Sequence, residues 1–286
     1  MKRMLILLLL VVGGLCQLVA QEVNTSVDKV YVVFKTHLDV GFTDLSSVVT
    51  QRYITEFIPK ALDVSEKLRA ENASEKYVWT TGAWLIWKYL HTASPEEVKR
   101  LEEAIGRGDI VWNSVPYTVE SESMNLDLFE TSLLLSHKLD EKYGKKTIAA
   151  KMTDVPGHTR SIVSPMSRAG IRFLHIGVNP ACPIPNVPEF CRWRDTDGSE
   201  LILVYQQDYG SENILPGGKA VISINFTGDN HGPHPYEKVK AIYDDLHKRY
   251  PKARLIASSF NEIAEELIVM QDQLPVVTSE IGDTWI

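Results

Sequence analysis

The feature that most limits how this chain can fold is a repeated alternation between short apolar runs and helix-forming segments. Eight runs rich in apolar or β-branched residues have the length and composition of buried strands, and they cover residues 30–34, 77–81, 109–113, 147–152, 171–177, 201–205, 221–226 and 254–258. Strands that alternate with helices predict βα units and a parallel sheet. An open doubly wound sheet and a closed barrel both satisfy this pattern, and periodicity alone leaves the choice open.

Helices between these runs have recognisable ends. Ser94 and Glu97 have the spacing of a capping box ahead of an apolar stripe, and Gly106 is the expected end of that helix. Ser259 and Glu262 repeat the capping spacing before the last predicted helix. Helices of ordinary globular length are therefore expected between the strands.

The first twenty residues have the composition of a signal peptide. Lys2 and Arg3 precede an apolar run over residues 4–12 that is too short to span a bilayer, and Ala20 suits cleavage by signal peptidase. Cys16 leaves a lipoprotein as an alternative, although the bulky residue before it disfavours lipidation. We expect export, with the mature chain, residues 21–286, in the periplasm or outside the cell.

Composition narrows the class of protein that residues 21–286 can form. With 44% hydrophobic and 23% charged residues, the 286-residue chain can form one large domain with a substantial core. Without the two basic residues of the leader, 28 Lys and Arg stand against 37 Asp and Glu, a formal charge of −9. This acidic balance excludes nucleic acid and anionic lipid as expected partners, and we expect no membrane span in the mature chain.

Cys182 and Cys191 are the two cysteines of the mature chain. In an exported protein they could close a small loop as a disulfide, and two reduced, buried thiols are the equal alternative. Their spacing does not match a structural zinc site.

Polar residues at the ends of two predicted strands suggest the chemistry. Residues two apart in an extended segment point the same way, so the imidazole of His37 and the carboxylate of Asp39 can share one metal ion. A turn histidine and a helix-capping aspartate are the alternative. Asp154 follows the fourth run in the same way, and capping of the next helix is its alternative role.

These segments resemble glycoside hydrolase family 38, the zinc-dependent retaining α-mannosidases. The family pattern H-N-D-x-G-W is similar to HLDVGF at residues 37–42, and D-P-F-G-H-S is similar to DVPGHT at 154–159. W-x-G-x-D-G-S is similar to FCRWRDTDGS at 190–199, and G-D-G-G-G-P to TGDNHGPHP at 227–235. Each string is weak alone, but their common order over residues 30–258 makes the resemblance specific.

The resemblance implies an irregular barrel of about seven parallel strands, incomplete at its C-terminus, with the active site on the loops at the carboxyl ends of the strands. It implies that His37, Asp39 and Asp154 bind zinc, with a fourth ligand, a histidine, in a region beyond Ile286 that the full-length protein would need. Asp154 would also be the nucleophile, and Asp229 the acid/base, of a retaining mechanism. The Gly-Asp-Asn sequence around Asp229 is also ordinary turn chemistry.

The same resemblance implies sugar contacts by Trp193 and Asp197. Glu120 and Glu122 lie where the family has an acidic segment, and we expect them to be solvated or to support the site without touching the substrate. Phe42 stands where the family has Trp, which changes the expected pocket wall, so the expected substrate is an α-mannoside or a related glycan. Alternatives are a sugar-binding protein without catalysis and a metal-dependent carbohydrate deacetylase, although the latter would need a His-x-x-x-His pair that the eight histidines do not form.

Overall fold

The computed structural model of the protein describes residues 23–286, and the predicted signal peptide over residues 1–20 lies outside the described residues. Within them, the strands are β1 (Lys29–Lys35), β2 (Trp79–Gly82), β3 (Ile110–Asn113), β4 (Ala149–Asp154), β5 (Phe173–Val178), β6 (Phe190–Arg194), β7 (Glu200–Gln207), β8 (Glu212–Ile214), β9 (Ala220–Asn225), β10 (Arg254–Ser258) and β11 (Val276–Val277). The α-helices are α1 (Ser46–Arg52), α2 (Ile58–Ala70), α3 (Ala83–Leu90), α4 (Pro95–Arg107), α5 (Leu126–Tyr143), α6 (Val163–Arg168), α7 (Tyr236–Arg249) and α8 (Phe260–Ile268). A π-helical turn, Tyr53–Phe57, joins α1 to α2.

The first sheet is built around β1, whose β-branched and aromatic residues favour an extended chain. Along one edge of β1 lies β9, with Lys29 opposite Ala220, and along the other lies β10, with Lys29 opposite Arg254. β2 pairs with the last residues of β1, and β3 continues the sheet beyond β2, all in parallel. The short β8 is antiparallel to β9. The carboxyl ends of the five parallel strands therefore lie at one edge of this sheet.

The second sheet has the order β11-β6-β7-β5-β4. β4, β5 and β7 are parallel to one another, whereas β6 is antiparallel to β7. Residues 195–199 join β6 to β7, and residues 215–219 join β8 to β9. A parallel crossover needs about a dozen residues or more, so both of these short connections close antiparallel hairpins.

The two sheets meet where β3 approaches β4. Ser114 N donates a hydrogen bond to Ala149 O at 2.9 Å, and the Asn113 side chain accepts one from Lys151 N at 3.3 Å. The predicted α/β class and its parallel βα units are confirmed. The predicted irregular barrel of about seven parallel strands is not confirmed, because the strands of residues 23–286 divide into two sheets and the short connections add antiparallel partners to each.

Alternate residues of β1 face opposite layers of the molecule. Val30, Val32 and Phe34 are fully buried against the helices outside the first sheet, whereas Tyr31 and Val33 face the second sheet. A further apolar cluster packs the second sheet against α5 and α6. Both faces of the parallel strands are thus covered, as such sheets require.

The two predicted capping boxes are present. Glu97 N donates to Ser94 Oγ at 3.3 Å, Ser94 N donates to the Glu97 carboxylate at 2.9 Å, and Ser259 forms the same arrangement at the start of α8. The helix that begins at Ser94 ends at Gly108 rather than at the predicted Gly106. Gly108 adopts a left-handed φ of 80°, and this conformation closes the helix.

The cysteines and the helices bear on two further expectations. Cys182 and Cys191 are free thiols, which favours the reduced alternative over a disulfide, and burial raises the pKa of Cys191 to about 12.

Among residues 23–286, no helix combines the length and the apolar composition needed to cross a bilayer.

Candidate active site

Two loops meet at the carboxyl edge of the first sheet. β1 leads into His37, and the loop after β9 pairs with it through a bridge between His37 and Asp229. Asn230 N donates to His37 O at 3.2 Å, and Asp39 N donates to the Asn230 side chain at 3.0 Å. Gly228, with φ at 127°, allows the turn that brings these atoms together. The structure therefore joins two segments that lie far apart in the sequence.

The resulting cluster, termed the His37 group, consists of His37, Asp39 and Asp229. One possible ligand atom from each residue lies within 4.8 Å of the other two. The imidazole is only 2% exposed, and Nε2 lies 3.1 Å from Asp39 Oδ1 without forming a hydrogen bond, so neither ring nitrogen has a partner among the described residues. A buried imidazole without partners is costly, and a metal ion bound by one nitrogen and two carboxylates removes that cost. These residues fit zinc.

Asp154 ends β4 with φ at 90°, a backbone conformation that residues other than glycine rarely adopt. Its Oδ1 accepts two hydrogen bonds, from Asn179 Nδ2 at 2.9 Å and from Tyr209 OH at 3.0 Å. Within the described part of the chain, no donor is bonded to Oδ2. Thr159 caps the turn that follows, so the alternative role of Asp154 as a cap is not observed. One oxygen is thus held while the other is available for chemistry.

Tyr209 links Asp154 to the His37 group. Its ring centroid lies 5.9 Å from that of His37. Burial, followed by the charge of Asp154 and the hydrogen bond to it, raises the pKa of the Tyr209 phenol, so the hydroxyl remains a donor. A side chain at Gly177 would meet the Tyr209 backbone at 2.3 Å, so glycine is needed there. No motif indicated Tyr209; the available clue was its place just after the apolar run at 201–205.

Two buried lysines lie between the sheets next to these carboxylates. Lys35 and Lys151 both donate to Thr153 Oγ1 at 2.9 Å. Burial lowers the pKa of Lys151 to about 7, and the charge of Asp39 opposes this shift. Burial and the neighbouring Lys151 also lower the pKa of Lys35. Sequence reasoning missed both lysines, because apolar neighbours surround them in their strands.

A second acidic cluster, termed the Glu120 pair, consists of Glu120 and Asp283. Asp283 is only 7% exposed, and its backbone N–H donates to the Glu122 carboxylate at 3.1 Å. Burial, followed by the hydrogen bond with Asp283 and the charges of Asp283 and Asp154, raises the pKa of Glu120 to about 8. Glu122 is exposed, as one alternative expected, whereas Glu120 is half-buried.

Among the comparisons with known proteins, the one with solved structures gives matches to the architecture of this chain. No protein-family model matches the chain, and a comparison with curated proteins gives no match. An alpha-mannosidase from Enterococcus faecalis V583 aligns over 89% of this chain and 31% of its own length, with a TM-score of 0.70 and 17% identity. A protein in glycosyl hydrolase family 38 from Enterococcus faecalis aligns over 90% of this chain and 29% of its own length, with a TM-score of 0.58 and 16% identity. The chain has a glycoside hydrolase family 38-like fold.

The family 38-like domain has a wider structural relationship as well. It spans less than a third of each of the two Enterococcus proteins. A protein described as a polysaccharide deacetylase from Mycobacterium smegmatis aligns over 92% of this chain and 100% of its own length, with a TM-score of 0.54 and 10% identity. Proteins named for different carbohydrate reactions therefore share this architecture.

Trp193 and Asp197 lie away from the candidate site of the family 38-like domain. Trp193 is fully buried, and its indole donates to the Ser279 carbonyl at 3.0 Å. Asp197 is in the turn that precedes β7. The amino ends of the parallel strands β7, β5 and β4 lie at one edge of the sheet, whereas Asp154 is at the carboxyl end of β4. The geometry gives no support to the expected sugar contacts, and we leave both residues out of the candidate site.

Proposed function

We propose that this chain provides the catalytic domain of an exported, zinc-dependent retaining glycosidase that cleaves α-mannosides or related glycans. One observation carries the proposal. Asp154 has one oxygen held by two donors and the other free, and Tyr209 joins it to a histidine and carboxylate group suited to a metal. A fixed carboxylate is what displacement at an anomeric carbon requires. The family 38-like fold supports the same class of reaction.

His37 and Asp39, with Asp154 as the further ligand implied by resemblance, would hold the zinc ion. Bound zinc supplies a Lewis acid that orients sugar hydroxyls. Asn230, in the loop after β9, is bonded to both His37 and Asp39 in the loop after β1, so the ligands stay in place without depending on the substrate.

Asp154 would act in two steps. In the first, its Oδ2 attacks the anomeric carbon while the glycosidic oxygen takes up a proton and leaves. Tyr209 and Asn179 hold Oδ1, which keeps the attacking oxygen directed at the sugar. In the second step, water attacks the same carbon and releases Asp154, so the anomeric configuration is retained. By resemblance, Asp229 would move the proton in both steps.

The fold of the Mycobacterium smegmatis protein favours one alternative, metal-dependent removal of an acetyl group. That reaction would use His37 and Asp39 for the metal, but it would not need the free oxygen of Asp154 as a nucleophile. A protein that only binds sugar would keep the pocket and release no product.

The test is release of an aryl leaving group from a panel of α- and β-glycosides by the full-length gene product. We expect turnover that a chelator abolishes, added zinc restores and Asp154→Asn removes. Acetate release without glycoside cleavage would support the deacetylase alternative, and sugar binding without turnover would support the binding protein. Amino-terminal sequencing of the exported protein checks the expected cleavage after Ala20.

A further inference from the structure

Two lysines that the proposed mechanism does not use lie in the interior between the two sheets. Lys35 is the last residue of β1, and its place two residues after Val33 directs its side chain toward the second sheet. Lys151 lies in β4 of that second sheet. The two residues are 0% and 5% exposed. Lysine is almost never buried to this extent without specific partners, so the partners indicate what the two lysines do.

The two amines converge on one hydroxyl. Lys35 Nζ and Lys151 Nζ each donate a hydrogen bond to Thr153 Oγ1 at 2.9 Å. Lys151 Nζ also donates to Thr36 O at 3.2 Å. These bonds connect the end of β1 with β4 twice, so polar contacts of defined direction join the two sheets at this level. We term Lys35, Lys151 and Thr153 the lysine clamp.

The backbone leads directly from the lysine clamp to two residues of the candidate site. Thr36, whose carbonyl accepts a bond from the clamp, is followed by His37. Thr153 is followed by Asp154. The clamp is therefore one residue away from a proposed metal ligand in the first sheet and from the proposed nucleophile in the second. A shift in the clamp would change the distance between the two.

Lys35 reaches a third part of the site. Its Nζ donates to the main-chain carbonyl of Tyr209, and the Tyr209 hydroxyl donates to Asp154 Oδ1 at 3.0 Å. The ring centroid of Phe226 lies 5.1 Å from Lys35 Nζ and 5.3 Å from the centroid of the Tyr209 ring. Lys35 thus contacts the backbone of the residue that orients the proposed nucleophile.

Asp154 and Tyr209 both have a backbone that needs support. Their φ angles are 90° and 60°, left-handed conformations that residues other than glycine rarely adopt. Strained backbone persists only where its surroundings hold it. Lys35 bonds to the side chain that precedes Asp154 and to the carbonyl of Tyr209, so one amine restrains both strained residues.

The partners of the amines argue against a role in packing alone. An apolar side chain at each lysine position would fill the space between the sheets without the cost of removing an amine from water. What the amines add is a set of directed hydrogen bonds to one hydroxyl and two carbonyls. Each of these acceptors belongs to a residue of the site or to the residue before one.

We infer that the lysine clamp fixes Asp154 and Tyr209 relative to His37 and that its three members are positioning residues of the active site. This inference rests on the proposed function and deepens it, because it names the residues on which the geometry of the same site depends. The clamp acts through Asp154 and Tyr209 and needs no contact with the sugar.

Thr153 offers a matched pair of variants. Thr153→Val removes the acceptor that the two lysines share, whereas Thr153→Ser keeps it. Valine has the shape of threonine and suits a strand, so β4 should still form. With the full-length gene product and an aryl glycoside, we expect Thr153→Val to lower kcat by about 10-fold to 100-fold, the effect of a small displacement of a reacting group. Thr153→Ser should keep kcat near the wild-type value. Equal kcat values for the two variants would overturn the inference.

The Michaelis constant separates a positioning role from a loss of substrate binding. In Thr153→Val, KM should change little because the contacts with the sugar remain, so kcat and kcat/KM should fall together. A higher KM at an unchanged kcat would contradict the positioning role.

Lys35→Met tests the clamp from the first sheet, in combination with Tyr209→Phe. Methionine is flexible and suits an apolar interior, so the sheets should still pack. Lys35→Met alone should lower kcat by about 10-fold to 100-fold. Because Lys35 acts through Tyr209, the double variant should lose much less than the product of the two single losses. Losses that multiply in full would mean that Lys35 acts independently of Tyr209, against the inference.

Lys151→Met tests the bond to Thr36 and should also lower kcat. Lys138→Met, at an exposed position of α5, is the matched control and should behave as wild type. Ser94→Ala, which removes the cap of α4, serves as the comparison for a general loss of stability. If Lys151→Met lowered kcat no more than Ser94→Ala at an equal loss in Tm, Lys151 would have only a structural role.

Amide hydrogen exchange gives a readout that does not depend on turnover. Tyr209 N donates to Val178 O at 3.2 Å, and Asn179 N donates to Asp154 O at 3.0 Å. In Thr153→Val both amides should exchange about 10-fold faster, because the segments that carry them lose buried hydrogen bonds. The amides of α4 should exchange as in wild type. Unaltered exchange at Tyr209 and Asn179 would show that the clamp does not hold these segments.

Failure of the inference and failure of the proposed function are distinguishable. If wild-type protein cleaves glycosides and Thr153→Val cleaves them normally, the inference fails and the proposed function stands. If wild-type protein cleaves no glycoside, the proposed function fails and the catalytic consequence of the clamp fails with it.

Discussion

The His37 group and the Glu120 pair are two acidic clusters near the same carboxylate, Asp154, and they differ in what neutralises them. The first contains a buried imidazole whose nitrogens form no hydrogen bond within residues 23–286, an arrangement that suits a metal cation. The second contains Glu120, whose pKa is raised to about 8 by burial and by neighbouring negative charges, so a proton neutralises it near pH 7. Carboxylates in one active site are therefore not equivalent, because their neighbours decide whether a metal ion or a proton compensates the charge.

The buried lysines strengthen this difference. The charge of Asp39 favours the ammonium form of Lys151, so a basic side chain already lies close to the His37 group. For Glu120, every charged residue that contributes to its pKa is acidic. The first cluster has a basic side chain nearby, whereas the groups that shift the pKa of Glu120 include no basic side chain.

The largest expected effect comes from the carboxylate that the two clusters share. Asp154→Asn keeps the size and the acceptor of the side chain but removes the nucleophile, so kcat/KM for aryl glycosides should fall by at least about 10³-fold. Steady-state kinetics on the full-length gene product measure this loss. Asp244→Asn, at an exposed position of α7, is the matched control and should behave as wild type. Normal turnover by Asp154→Asn would show that Asp154 is not the nucleophile, and the two clusters would then have no catalytic carboxylate in common.

A change in the His37 group should act on metal binding. His37→Ala removes the nitrogen ligand, and we expect zinc affinity to fall by more than about 100-fold, since losing even a residue that only orients a ligand costs 10-fold to 100-fold. Competition with a chromophoric chelator measures the affinity. His137→Ala, an exposed histidine of α5, should leave it unchanged. Equal zinc affinity in the two variants would show that the first cluster is not a metal site.

Tyr209→Phe should have a smaller effect, on the link between Asp154 and the His37 group. It removes one of the two donors to Asp154 Oδ1, a hydrogen bond to a charged group worth about 1.5–3 kcal/mol, so kcat should fall by about 10-fold to 100-fold. Zinc affinity should fall less than in His37→Ala, because the phenol orients the proposed ligand Asp154 and is not itself a ligand. Tyr31→Phe, which loses a hydrogen bond to Glu266 near the amino end of β1, is the comparison for a general loss of stability.

The smallest expected effect lies outside both clusters. Ser94→Ala removes the cap of α4 and should lower the free energy of unfolding by about 1 kcal/mol, measured by urea denaturation. Zinc affinity and kcat should be unaltered. A parallel loss of zinc affinity would mean that the clusters respond to overall stability, and the differences between them could then not be assigned to local charge.

Much of the fold could be predicted because its strands have a local cause. All eight predicted strands are present, with ends shifted by no more than two residues, because apolar and β-branched composition reports burial directly. The strands that were missed, β6, β8 and β11, are short, and their pairing depends on partners elsewhere in the chain. For the same reason the division into two sheets was not predicted, since it follows from the length of two connections and from how β3 meets β4.

The candidate site was predictable in part. His37 and Asp39 stand two residues apart after β1, and Asp154 is the last residue of β4. Local periodicity therefore places all three residues at the carboxyl ends of strands. Periodicity could not show that Trp193 points into a core or that Glu120 is half-buried, because both outcomes depend on which segments pack over them.

The sequence by itself determined which side chains stand at strand ends and which chemistry they can offer. Only the tertiary structure decided that Asp229 joins His37, that Tyr209 reaches Asp154 and that Asp283 reaches the loop of Glu122. The physical reason is that charge compensation depends on distances of a few ångströms between atoms that are far apart along the chain, whereas a sequence pattern records only the relations between near neighbours.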